Sequence, residues 1–266
     1  MQFKDKVVLV TGGADGLGRG IGLVMAERGA NVAVADIDWD GAQKVRDELA
    51  LGGHNAIAYQ VDVTKADELE ALVRDTLGEF GRIDVLVNSA GVIGAPGFEE
   101  TTRSRIVDWD LALDVNVKGT VLATEAVAPH MKERRSGKIV NIASHSGRTG
   151  AAGNAAYPAS KAAVMNLTQS FAMELAQYNI NVNVVCPGTI WTPMWERIAE
   201  RTRRNDPSKR NLTTRQIYDE AIQQRCPLKR GQTPEDIGKA VAFFASEDAM
   251  NITGQSLNVN GGTRMD

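Results

Sequence analysis

The stretch Val7-Val-Leu-Val-Thr-Gly-Gly-Ala-Asp-Gly-Leu-Gly18 decides the fold. A short apolar run ends in a turn with glycines at 12, 16 and 18, and an amphipathic segment follows over 18–28. Glycine permits a tight turn and lets the backbone approach a ligand closely. A helix starting there offers free N–H groups and positive dipole to an anion such as a pyrophosphate. The spacing G-x-x-x-G-x-G departs from the common dinucleotide fingerprint, so the strand–turn–helix context carries the reading.

Outward from that turn the alternation repeats. Apolar runs at 31–35, 56–61, 85–88, 138–142, 181–185 and 256–259 read as strands. Segments 40–51, 65–80, 109–133, 158–178 and 234–245 read as helices. The strand runs are almost wholly apolar rather than alternating, as in strands covered on both faces. This succession predicts one α/β domain of Rossmann type over residues 1–266, with a doubly wound parallel sheet of about seven strands and helices on both faces. Ligands then bind at the carboxyl ends of the strands. The stretch at about 189–232 reads as one or two short helices over the cleft, a substrate lid.

Composition narrows the classes. Hydrophobic residues make up 43% of the 266, enough for a substantial core, and the net charge of −3 comes from interspersed acids and bases. That balance argues against a nucleic-acid partner. No apolar run reaches the roughly 18 residues of a membrane helix, and the polar, charged start lacks a signal peptide's apolar region. Cys186 and Cys226 lie far apart without a C-x-x-C, so free thiols and a cytoplasmic protein are expected. The three histidines show no metal-ligand spacing, and no metal is expected.

Asp36 ends the second strand. A carboxylate there suits the 2′- and 3′-hydroxyls of an adenosine ribose and repels a 2′-phosphate. Asp15 adds negative charge inside the turn, so NAD is expected over NADP. Arg19, on the first helical turn, can meet the pyrophosphate. Asp38 and Asp40 read as a helix N-terminal cluster.

Tyr157-Pro-Ala-Ser-Lys161 is the expected chemical centre. Tyrosine and lysine at i, i+4 share a helical face, and an ammonium lowers a phenol's pKa from near 10. Ser144, after the fifth apolar run, can bond the reacting oxygen. Asn88-Ser-Ala-Gly91 closes the fourth run, where Asn88 can fix backbone near the cofactor. Asn116 interrupts a helical stretch as a mediocre helix former.

These residues, with Asp62 and the Pro187-Gly188…Thr192 run, resemble the short-chain dehydrogenase/reductase family in order and spacing over nearly the whole chain. Ser89 stands where the family usually has a second Asn. The resemblance implies that Tyr157 is the acid/base, that Ser144 orients the substrate oxygen, and that Lys161 also binds the nicotinamide ribose. It implies that Asn116 holds a water continuing a proton relay from Lys161. It places the dinucleotide against Gly12, Asp15, Gly16, Leu17 and Gly18, then Asp36 and Ile37, Asp62 and Val63 at the adenine, Asn88, Ala90 and Gly91, and Pro187, Gly188, Ile190 and Thr192 at the nicotinamide end.

For the substrate pocket, His145, Trp191, Met194 and Trp195 are the candidates. The basic stretch of Arg197, Arg201, Arg203, Arg204, Lys209 and Arg210 reads either as a solvated face or as a site for an anionic group. The run from Cys186 to Trp195 is similar to acetoin/2,3-butanediol and polyol dehydrogenases of that family, so a small diol, hydroxyketone or polyol is expected. The alternatives are a 3-oxoacyl-thioester reductase and, from another class, a non-catalytic NAD-binding sensor. Family members commonly form tetramers, so a homotetramer or homodimer is expected.

Overall fold

The structure, a computed structural model, describes residues 2–266. Seven strands form one sheet: β1 (Val7–Thr11), β2 (Asn31–Asp36), β3 (Ala56–Gln60), β4 (Val85–Asn88), β5 (Gly137–Ile142), β6 (Ile180–Pro187) and β7 (Ser256–Val259). Their spatial order is β3-β2-β1-β4-β5-β6-β7, and every pairing is parallel. The order reverses between β1 and β4, which opens a crevice at their carboxyl ends. The register Thr11↔Asn88 sets the glycine turn directly beside the segment after β4.

Side chains alternate across the sheet and split the core in two. Val8, Val10, Val32 and Val34 pack against α1 (Gly16–Glu27), α2 (Trp39–Leu51) and α9 (Pro234–Ala245). Leu9, Ala33 and Leu86 face the other way, against α3 (Ala66–Phe80), α5 (Gly119–Arg134) and α6 (Ala156–Leu175). Both faces of the sheet are therefore covered, which is why its central strands are mostly apolar.

The helix expected over 109–133 is not a single α-helix. It runs as α4 (Ile106–Ala112), a π-helical turn over Leu113–Lys118, and α5. The start lies earlier because the Asp108 carboxylate folds back to accept the Arg105 N–H at 2.7 Å. The π turn holds Asn116, where a wider turn redirects one side chain out of the helical ladder. The region over the cleft contains α7 (Pro193–Asn205) and α8 (Thr214–Arg225), two helices started by Thr192 and Thr213 side-chain caps. Among the described residues, no helix is long and apolar enough to cross a membrane.

Candidate active site

The cleft at the sheet's switch point has a volume of about 480 Å³. The predicted turn residues Gly12, Asp15, Gly16, Leu17 and Gly18 line it, with Asp36 and Ile37, Asp62 and Val63, Ala90 and Gly91, and Thr192 and Met194. Gly12 has φ +66°, and a Cβ there would lie 2.6 Å from the Ala90 backbone. A Cβ on Gly18 would collide with the Gly12 carbonyl. The two turns thus meet backbone to backbone, leaving a narrow cradle bordered by the α1 N-terminus. Such a cradle fits a dinucleotide's pyrophosphate, and the residues present fit a nicotinamide cofactor.

Thr11 was quoted with the turn but not read as functional. Its Oγ1 accepts the N–H groups of Ser89 at 3.3 Å and Ala90 at 3.4 Å. That hydroxyl, not Asn88, fixes the backbone after β4. Asn88 instead donates to Asn141 at 2.9 Å and Thr124 at 3.1 Å inside the core.

At the adenosine side, the Asp36 carboxylate accepts the Ala14 N–H and the Asp38 N–H, both at 3.0 Å. Arg19, expected to meet a pyrophosphate, does not line the cleft. Its guanidinium is bound in two places by Glu48 of α2, and this carboxylate neutralises it. Asp62 is held by its own turn, accepting from the Thr64 N–H at 2.9 Å.

The catalytic candidates converge at the carboxyl ends of β4, β5 and β6. Ser144 follows β5 and is buried. Its Oγ accepts the Ser146 N–H at 3.1 Å and the Ser146 hydroxyl at 2.9 Å, so its own proton remains free to donate. Ser146 escaped the sequence reading. Burial pushes the Tyr157 phenol up to about 12, and the neighbouring Ser144 hydroxyl pulls the other way. Burial likewise pushes the Lys161 ammonium down to about 8.

Tyr157 and Lys161 stand one turn apart on α6, as their spacing predicts. Lys161 Nζ donates to the Ile142 carbonyl at 2.9 Å and lies 5.7 Å from the centroid of the tyrosine ring. A buried ammonium takes the nearest strong acceptor, and here that is the open carboxyl end of β5.

Asn116 is fully buried. Its side chain grips the Val92 backbone twice: Oδ1 accepts the N–H at 2.8 Å and Nδ2 donates to the carbonyl at 3.0 Å. Nδ2 also donates to Ser160 Oγ at 2.9 Å. A Cβ on Gly91 would lie 3.2 Å from Lys161 Nζ and 3.3 Å from Asn116 Oδ1. Gly91 is therefore where the cleft touches the buried polar groups.

The nicotinamide-end residues divide. Thr192 reaches over the turn, with its Cγ2 3.4 Å from where a Gly16 Cβ would stand. Pro187 and Ile190 are buried, and the Gly188 N–H joins β7 through the Val259 carbonyl at 3.0 Å. The pocket candidates divide too. Met194 lines the cleft, whereas Trp191 and Trp195 stack edge-on against Tyr218 at 5.3 and 5.0 Å, inside the packing of α8. His145 Nδ1 lies 3.0 Å from the Pro187 carbonyl. A carbonyl only accepts, so Nδ1 carries the proton, and burial keeps the ring's pKa low.

The basic stretch is mostly self-neutralised. Arg203 and Arg204 bind Glu200, Lys209 binds Glu220, and Arg197 binds Glu99. Charge counting could not show this, because most of the partners come from distant elements or the opposite turn. Among the described residues no cluster of His, Cys, Asp or Glu is placed to hold a metal ion.

A family model described as enoyl-(acyl carrier protein) reductase matches residues 12–264. A subunit of (2S)-[(R)-hydroxy(phenyl)methyl]succinyl-CoA dehydrogenase from Thauera aromatica is 37% identical, over 98% of both chains. The 3-oxoacyl-[acyl-carrier-protein] reductase of Thermotoga maritima is 36% identical over 98% of this chain and 99% of its own. Among solved structures, NAD+-bound xylitol dehydrogenase superposes with a TM-score of 0.90 at 32% identity, covering 98% of this chain and 100% of that one.

Proposed function

The chain belongs to the short-chain dehydrogenase/reductase family of oxidoreductases, and from that premise we propose that it interconverts a secondary alcohol and a ketone using NAD(H). The observation that carries the reading is the meeting of the Ser144 hydroxyl, the Tyr157 phenol and the buried Lys161 ammonium beside the glycine cradle. When bound, the nicotinamide accepts or supplies the hydride.

The chain's own residues do the proton chemistry. Ser144, held by Ser146, donates to the reacting oxygen and orients it. Tyr157 takes the hydroxyl proton in oxidation and returns it in reduction. An isolated buried phenol at about 12 is a poor base at neutral pH. The Lys161 charge favours its ionised form through the low-dielectric interior. Asn116 fixes Val92 and, in this reading, holds a water that passes the proton on from Lys161.

NAD rather than NADP is supported by the Asp36 carboxylate at the ribose end and by Arg19, which Glu48 has already neutralised. For the substrate, a small diol, hydroxyketone or polyol is our first reading. It is supported by the solved xylitol dehydrogenase and by a lid most of whose cations are paired with carboxylates, leaving a neutral substrate favoured. Reduction of a 3-oxoacyl thioester is the second reading, favoured by relatives that act on thioesters. A non-catalytic NAD sensor fits poorly with an intact Asn116, Ser144, Tyr157 and Lys161. We further propose a cytoplasmic homotetramer or homodimer, to be tested by sedimentation.

The test is NADH formation or consumption at 340 nm with diols, polyols and acetoacetyl thioesters, using wild type and Tyr157→Phe. Turnover with NAD that disappears in Tyr157→Phe while NADH still binds is expected. Unchanged turnover in that variant refutes the acid/base assignment.

A further inference from the structure

Tyr157 is the second residue of α6, in the first turn of a helix that does not cap itself. Its cap position is Ala155, which offers no side-chain acceptor, and Pro158 carries no N–H. The first turn of such a helix has orphan donors and frays readily. The approach, Thr149-Gly-Ala-Ala-Gly-Asn-Ala155, contains only small or short polar side chains. It has no bulky apolar side chain to anchor it in a core.

Two contacts from outside hold this approach. Ser104 Oγ accepts the Ala156 N–H at 3.3 Å. Arg201, on α7, donates through Nη2 to the Gly153 carbonyl at 2.9 Å and through Nε to the Thr101 carbonyl at 2.7 Å. Gly153 has φ +78°, and a Cβ there would lie 2.5 Å from the Thr102 carbonyl. The two loops therefore touch backbone to backbone, and one guanidinium bridges them. Its Cζ also lies 4.4 Å from the centroid of the buried Phe98 ring. Among the described residues Arg201 makes no ion pair, so its charge is met by carbonyls and an aromatic face.

We infer that Arg201 is a positioning residue for Tyr157: α7, when seated, completes the anchoring of the α6 first turn, so that lid and acid/base are aligned together. Arg197, one helical turn earlier, acts on the other wall. It donates to the Gly94 carbonyl at 3.1 Å and the Ala95 carbonyl at 3.0 Å, next to the cleft residue Ile93. A lysine at 201 has a single point charge and cannot bridge two carbonyls in the fixed fork of a guanidinium.

This inference rests on Tyr157 as the acid/base, and two variants test it, Arg201→Lys and Arg201→Met. A misplaced reacting group costs up to about a hundredfold in rate. Expected is a fall in kcat of at least about tenfold, with the Kd for NADH, read by fluorescence, changed less than about twofold. Hydrogen exchange in the peptide spanning 150–160 should rise, with Arg201→Lys intermediate. A kcat within about twofold of wild type in both variants overturns the inference. So does a loss of kcat matched by equal weakening of NADH binding, or by exchange rising throughout the molecule. Exchange at 150–160 reads the first turn without turnover, so failure here is distinguishable from turnover surviving Tyr157→Phe.

Discussion

Asn116 and Ser160 are joined in the buried interior: the carboxamide Nδ2 donates to the serine Oγ at 2.9 Å, and that hydroxyl donates to the Tyr157 carbonyl at 2.8 Å. Through this pair the π turn, the Val92 backbone and the start of α6 form one polar unit. Ser160→Ala leaves an Asn116 donor short of a partner, which costs about 1–3 kcal/mol of stability. The loss should also appear more in kcat than in the Kd for NADH. Chemical denaturation and steady-state kinetics would check both, and an unchanged stability would contradict the linkage.

Cofactor choice should turn on Asp36. Replacing it with Ala removes the charge opposed to a 2′-phosphate but leaves the Ala14 and Asp38 N–H groups it now holds. Like-charge contacts cost several kcal/mol, so the ratio of kcat/KM for NAD over NADP should fall by about tenfold or more. Adding Glu48→Ala, which frees Arg19, should shift the ratio further. A preference that ignores both substitutions would move the discrimination elsewhere in the cleft.

With Tyr157 as the proposed acid/base, alcohol oxidation needs its phenolate. The kcat/KM for oxidation should rise with pH as the phenol ionises, a profile belonging to the free enzyme's groups. Lys161 favours the phenolate while it is charged, and burial lets it lose its proton near about 8. Lys161→Met should therefore displace the rising limb to higher pH as well as lower the rate. Profiles measured from about pH 6 to 10 that superpose after scaling would remove Lys161 from the tuning of Tyr157.

A second titration bears on stability alone. His130 Nε2 accepts the Ile83 N–H at 3.2 Å, and burial, with Arg134 beside it, holds its pKa below the ordinary 6.5. The unfolded chain therefore binds this proton more readily than the folded one. The contribution is complete above about 6.5 and is lost as pH falls through the folded value. Between about pH 7 and 5 the melting temperature of wild type should drop more than that of His130→Gln. Parallel curves would assign the loss to other groups.

The sheet was legible because burial on both faces leaves a simple apolar signature in each strand. The glycine turn and Ser144 were legible because they follow strands, and Tyr157 and Lys161 because their spacing sets them on one face of a helix. Asn116 signalled the π turn only as a poor helix former, and the sequence reading ran one α-helix through it. Thr11, Ser146 and Ser160 were missed because a lone hydroxyl carries no periodic or charge signal until its neighbours are known. The lid's arginines left two readings open for the opposite reason. Charge is visible in a sequence, but its neutralisation by Glu99 or by distant carbonyls is a property of the fold.

The grip of α7 on the loops beneath it is largely a grip on main chain. Gly94, Ala95, Thr101 and Gly153 contribute carbonyl oxygens, which every residue type possesses. Apart from Gly94, Phe98, Glu99 and Glu100, side chains along the β4–α4 connection can therefore be exchanged without unfastening the lid. That leaves the wall beside the cleft open to diversification, while the fastening persists for as long as the two arginines do.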